Sequence, residues 1–131
     1  MKRILLVDDN EAFRWTLSAM LQTAGYEIQS VGDGSAALKL FRQQPFDLVV
    51  TDLIMPGKEG LETIIELRRI QPGLKIVAIS GVGRVAPGDY LPMARHLGAA
   101  ATLAKPFTME EILDVVARLL GDEAAVTETM T

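Results

Sequence analysis

The sequence predicts one α/β domain, a parallel five-stranded sheet wound with helices on both faces. Short apolar runs recur five times along the chain, and most lack the alternation of a half-exposed strand. They suit burial on both faces, as in parallel sheets. The intervening stretches carry apolar residues at three- and four-residue spacings, the mark of amphipathic helices. Strict alternation of the two kinds of element favours parallel pairing through right-handed crossovers. A length of 131 residues allows one domain with its own core.

Ile4 to Val7 is the first buried run, and it stops on Asp8-Asp9-Asn10. Asp9 or Asn10 serves as the N-cap of a helix from Glu11 to Ala24, with Phe13, Leu17, Met20, Leu21 and Ala24 on its apolar face. Gly25 stands where a C′ glycine belongs. Trp15 falls about 200° round this helix from both Phe13 and Leu17, off the stripe, where an exposed ring can anchor an interface. Tyr26 to Val31 alternates more and belongs nearer a sheet edge. Gly32-Asp33-Gly34 turns into a helix carrying Ala36, Ala37, Leu40 and Phe41, which Pro45 ends.

Leu48, Val49 and Val50 form the central run, which ends on Asp52 before the turn at Pro56-Gly57. A helix from Leu61 to Ile70 follows, with Leu61, Ile64, Ile65 and Arg68 at helical intervals, and Gln71-Pro72-Gly73 stops it. Lys75 to Ile79 is a fourth strand, ending on Ser80-Gly81. Gly83, Pro87 and Gly88 mark Val82 to Gly88 as a loop whose one charge is Arg84. Asp89 caps a short helix from Tyr90 to Leu97, with Pro92 in its first turn, and Gly98 ends it. Ala101 to Ala104 is the fifth strand, ending at Lys105-Pro106. Thr108-Met109-Glu110-Glu111 reads as a capping box opening a last helix with Ile112, Val115, Val116 and Leu119 on one face. The domain is expected to occupy 1–121, with a polar, fraying tail over 122–131.

The totals exclude several classes. With no cysteine there is no disulfide framework, thiol nucleophile or zinc knuckle. A net charge of −4 argues against a nucleic-acid surface. No apolar stretch is long enough to span a bilayer, and Asp8-Asp9 interrupts the first run too early for a signal peptide. No membrane partner and a cytoplasmic location are the resulting expectations. His96 lacks a ligand partner at suitable spacing and reads as a helix-surface residue. Tyr90 and Met93 read as packing residues.

Four of the strands end in polar groups: Asp8 and Asp9, Asp52, Ser80 and Lys105. In open α/β sheets, ligands bind at the carboxyl ends of the strands. Each residue alone has a plain reading as a capping acid, a strand-end serine or a surface lysine. Together they gather three carboxylates that repel unless a cation sits among them, and hard oxygens with room for water suit Mg²⁺. A carboxylate held in this way can attack a phosphoryl group and form an acyl phosphate. A hydroxyl and an ammonium can then hold the phosphoryl oxygens.

Over Lys2 to about Gly121 the chain resembles the receiver domain of two-component response regulators. The motifs are Val7-Asp8-Asp9-Asn10, Asp52-Leu53-Ile54-Met55-Pro56-Gly57, Ile79-Ser80-Gly81 and Leu103-Ala104-Lys105-Pro106-Phe107. The resemblance implies a flavodoxin-like (βα)5 fold with strand order 2-1-3-4-5. It implies that Asp52 accepts a phosphoryl group from a phosphohistidine on a histidine kinase or phosphotransfer protein. Asp9, Asp52 and the backbone carbonyl of Ile54 would bind Mg²⁺, with Asp8 assisting partly through water. Ser80 and Lys105 would hold the phosphate, the Lys105-Pro106 peptide would be cis, and self-dephosphorylation would be slow. The family's donor protein docks largely on the first helix, which implicates Ala12, Phe13, Thr16 and Met20 in donor choice. Exchanging these four is expected to change transfer from a protein donor and to leave small-molecule phosphorylation alone.

The stretch after Gly121 is too short for a DNA-binding domain, so a stand-alone switch, monomeric or weakly dimeric, with an unknown downstream protein is expected. Two features depart from the family pattern. Thr102 stands where the family usually carries the aromatic ring that reports phosphorylation, and the loop after Ser80 is longer than usual. That loop, through its glycines and Arg84, is the expected switching element. In the family this chain resembles, the positions of Ile54 and Val82 influence attack by water on the acyl phosphate. Aliphatic side chains there cannot orient a water, so a long-lived acyl phosphate is expected. The alternatives are a degenerate receiver acting as a phosphorylation-independent protein-binding module and, ranked last, a phosphohydrolase. The intact acid, serine and lysine set argues against the first.

Overall fold

The computed structural model describes residues 2–53, 60–80, 94–96 and 98–121. The expectations placed on Ile54, Val82 to Gly88, Tyr90, Met93 and the tail lie outside them. Five strands, β1 (Arg3–Val7), β2 (Glu27–Val31), β3 (Leu48–Asp52), β4 (Lys75–Ser80) and β5 (Ala101–Ala104), pair in parallel in the order 2-1-3-4-5. The described helices are α1 (Glu11–Thr23), α2 (Gly34–Gln43), α3 (Gly60–Ile70) and α4 (Met109–Leu119), with a further helical turn at 94–96. This is the flavodoxin-like topology that the sequence led us to expect.

Side-chain alternation along each strand divides the core between the sheet's two faces. Ile4, Leu6, Val50, Val77 and Ile79 pack under Leu17 and Leu21 of α1 and Ile112 and Val116 of α4. Leu5, Val7, Val49, Ile76 and Ala78 pack under Ala37 and Phe41 of α2 and Ile64 and Leu67 of α3. Each Leu, Ile or Val so buried contributes roughly 1.5–3 kcal/mol relative to exposure. β2 lies at the edge and is largely exposed, as its alternation suggested.

Local chemistry sets the helix ends. Asn10 is the N-cap of α1, its side-chain oxygen accepting from the Phe13 N–H at 3.0 Å, and Gly25 follows the C-cap at φ +100°. Asp33 caps α2, and Thr108 with Glu111 completes the capping box of α4. Of the residues at helical intervals along α3, Ile64 is buried and Leu61 packs against the core. Gly60, Thr63, Ile64 and Leu67 are inside, whereas Ile65 is 38% exposed. At Gly60 the start of α3 runs too close to β3 for any side chain. Arg68 donates to the Leu74 carbonyl at 3.3 Å.

Candidate functional site

The carboxyl ends of β1 and β3 bring three acids together. Oxygens of Asp8, Asp9 and Asp52 all lie within 4.8 Å of one another. Asp8 is 1% and Asp52 2% exposed, while Asp9 is half-buried. Two like charges about 4 Å apart repel by roughly 4 kcal/mol even at an effective dielectric of about 20, so the cluster calls for cations. Lys105, just past β5, supplies one. Its Nζ lies 2.9 Å from Asp8 Oδ2 and 3.8 Å from Asp52 Oδ2.

The two buried acids are differently held. Asp8 Oδ1 accepts the Asn10 N–H at 2.9 Å and Oδ2 accepts Lys105 Nζ, so both its oxygens are engaged. Its backbone carbonyl accepts Arg14 Nη1 at 2.8 Å. Asp52 is the last residue of β3, and Thr51 Oγ1 donates to its carbonyl at 3.0 Å. The donor set therefore fits a hard divalent cation: three clustered carboxylates, one of them half-buried, with the Lys105 ammonium closer to Asp8 than to Asp52.

Ser80 ends β4 and is fully buried, and its Oγ has no hydrogen-bond partner among the described residues. Such a hydroxyl costs about 1–3 kcal/mol, a penalty that a ligand oxygen would relieve. Its carbonyl accepts the Lys105 N–H at 2.7 Å, which ties the serine and lysine strand ends together. The Lys105-Pro106 peptide is cis. Thr102 is half-buried opposite Ala78 of β4. His96 is exposed on its helical turn.

Arg14 and Gly60 also shape the site, and neither stood out in the sequence. Arg14 lies in the first turn of α1, where the helix dipole disfavours a cation. That misplaced charge was the one clue that it had a partner, here the end of β1. Gly60 donates its N–H to the Leu53 carbonyl at 3.0 Å. A Cβ there would stand 2.5 Å from Leu53 Cα and still nearer the Asp52 carbonyl oxygen. Gly60→Ala is therefore expected to destabilise the protein by at least about 1–3 kcal/mol, because backbone cannot yield as a side chain does. The midpoint of urea unfolding measures this, and an unchanged midpoint would show that α3 starts farther from β3.

Comparisons with known proteins agree with this geometry. The family model described as "Response regulator receiver domain" matches residues 4–117. The receiver protein CpdR of Brucella abortus is 33% identical over 120 residues, covering 92% of this chain and 98% of its own. A response regulator receiver protein of Anaeromyxobacter is 41% identical over 115 residues, covering 88% of this chain but 47% of that longer protein. The crystal structure of response regulator TrrA from Thermotoga maritima, in complex with Mg²⁺-BeF, superposes with a TM-score of 0.82 at 36% identity. It covers 92% of this chain and all of its own, 100%.

Proposed function

Because this chain belongs to the response regulator receiver family, we propose that it is a phosphorylation-controlled switch whose acceptor is Asp52. The observation that carries this is the placing of a buried aspartate at the end of the central strand, within one cluster of acids and beside a lysine. An Asp52 oxygen forms a P–O bond as the donor's P–N bond breaks and its electron pair leaves with the imidazole. The Ser80 hydroxyl and Lys105 ammonium take the transferred phosphoryl oxygens. Mg²⁺, when bound, supplies positive charge against those oxygens. Asp9 and Asp52 would be its direct side-chain ligands, with Asp8, whose oxygens accept the Asn10 N–H and Lys105 Nζ, assisting. The Ile54 carbonyl completes the protein's share on family grounds. The crystal structure of the Thermotoga relative holds Mg²⁺-BeF, which supports a site for Mg²⁺ in this chain.

The donor is a histidine kinase or histidine phosphotransfer protein, and the output is altered binding to a downstream protein. We read the chain as a stand-alone cytoplasmic receiver that is monomeric or weakly dimeric. No helix among the described residues is long and apolar enough to cross a membrane. Incubation with Mg²⁺ and acetyl phosphate followed by intact mass tests the switch. A lasting gain of one phosphoryl group is expected. No gain would favour a phosphorylation-independent binding module, and turnover without accumulation a hydrolase.

Donor choice is read on the exposed side of α1. Ala12 and Thr16 are both exposed in the N-terminal half of α1, and Thr16 Oγ1 donates to the Ala12 carbonyl at 3.0 Å. Exchanging Ala12 and Thr16 is expected to slow transfer from the cognate protein donor at least about tenfold, the loss of about 1.4 kcal/mol of interface energy. Phosphorylation by acetyl phosphate should be unchanged. Equal loss with both donors would show that these residues serve the fold instead.

A further inference from the structure

The Lys105 ammonium has a third neighbour besides the two carboxylates. Its Nζ sits 3.9 Å from the centre of the Phe13 ring. Phe107 meets that ring at 5.9 Å between centroids and 88° between planes, an edge-on contact that fixes its tilt. We propose that Phe13, braced by Phe107, is the positioning residue for Lys105, holding the ammonium beside Asp52 through the negative face of its ring. This rests on the reading of Asp52 as phospho-acceptor.

The physical case begins with the lysine itself, a compact charge on a flexible four-carbon stem that must be aimed to be useful. Its closest ionic partner is Asp8 at 2.9 Å, which holds it away from Asp52 at 3.8 Å. A transferred phosphoryl group on Asp52 asks the ammonium to move a short way from the one carboxylate toward the other. A ring face attracts a cation without fixing it to one direction, so the ring contact persists through that movement while the ion pair with Asp8 is exchanged. The ring is well placed to do this. Phe13 lies in the first turn of α1, pinned by its N–H to the Asn10 cap, and both rings pack on the core beneath α1 and α4. The lysine side chain is 21% exposed, so the contact is largely shielded from water.

This separates Phe13 from its neighbours Ala12 and Thr16. Grouping all four α1 residues as determinants of donor choice alone is a sequence-level expectation that the ring contact revises. Phe13 is expected to affect phosphorylation from any donor.

Two measurements decide it. The first needs no phosphate: the Lys105 Cε protons should carry a ring-current shift in the NMR spectrum of the full chain that disappears in Phe13→Leu and is kept in Phe13→Tyr. The second is a cycle of initial rates with Mg²⁺ and acetyl phosphate, crossing Phe13→Leu with Lys105→Met. Phe13→Leu should slow the parent about three- to tenfold, the range expected of a partly shielded cation–π contact, and should change the Lys105→Met protein little. Equal slowing in both backgrounds would reduce Phe13 to a structural role, and no slowing in the parent would remove it from the site. Should Phe13→Leu fold poorly, trifluorophenylalanine at position 13 keeps the shape, weakens the ring's negative face and must still slow the parent. A parent that takes up no phosphoryl group would defeat the acceptor reading instead, and the ring-current shift would still decide whether Phe13 holds Lys105.

Discussion

Asp52→Asn is expected to abolish phosphoryl gain from acetyl phosphate while leaving the fold intact. The amide has the carboxylate's shape, so the end of β3 keeps its packing, but it lacks the anionic oxygen that attacks phosphorus. Its removal also thins a cluster in which, among the described residues, three acids face the Lys105 ammonium. Without Mg²⁺ the variant should unfold at a urea concentration no lower than the parent's, because one source of like-charge repulsion is gone. Intact mass and urea denaturation read the two halves separately. Phosphorylation at the parent's rate would show that the nucleophile lies elsewhere, whereas collapse of the fold would show that Asp52 is needed chiefly for structure.

Asp9→Ala should have the second largest effect, at least about a hundredfold loss of phosphorylation rate, together with loss of the Mg²⁺ dependence. Metal clamps on a transferring phosphoryl group supply several kcal/mol of charge stabilisation, and a hundredfold corresponds to about 2.7 kcal/mol. Asp9 is the acid to test because it is half-buried within the cluster, whereas Asp8 is buried and ion-paired with Lys105. Mg²⁺ should raise the thermal midpoint of the parent, as any ligand of the folded state does, and raise that of Asp9→Ala much less. A variant that keeps both the stabilisation and the rate would leave Asp9 outside the metal site.

The sequence disclosed those parts that follow from local pattern. Continuous apolar runs marked β1, β3 and β4, the alternating one marked edge strand β2, and Thr108 with Glu111 marked the start of α4. The acids, Ser80 and Lys105 were legible because each directly ends or follows a strand, and parallel strands deliver their ends to one edge. The close approach of α3 to β3 was not legible. It turns on Gly60, and a lone glycine near a helix start has many uses. Along α3, Ile64 and Leu61 meet the core, but Ile65 outranks Thr63 on hydrophobicity and nothing local shows that Thr63 is the one buried. The contact of Phe13 with Lys105 joins residues far apart in the chain. No periodicity in α1 could separate a core phenylalanine from one lying over an ammonium.

Chemical trapping shows which carboxylate takes the phosphoryl group. The protein is incubated with Mg²⁺ and acetyl phosphate, reduced with borohydride, digested and mapped by peptide mass. An acyl phosphate is reduced to the alcohol, so homoserine is expected at position 52 and should be absent when Mg²⁺ is withheld. Reduction at Asp8 or Asp9, or a phosphate on Ser80 that borohydride leaves untouched, would contradict Asp52 as the acceptor.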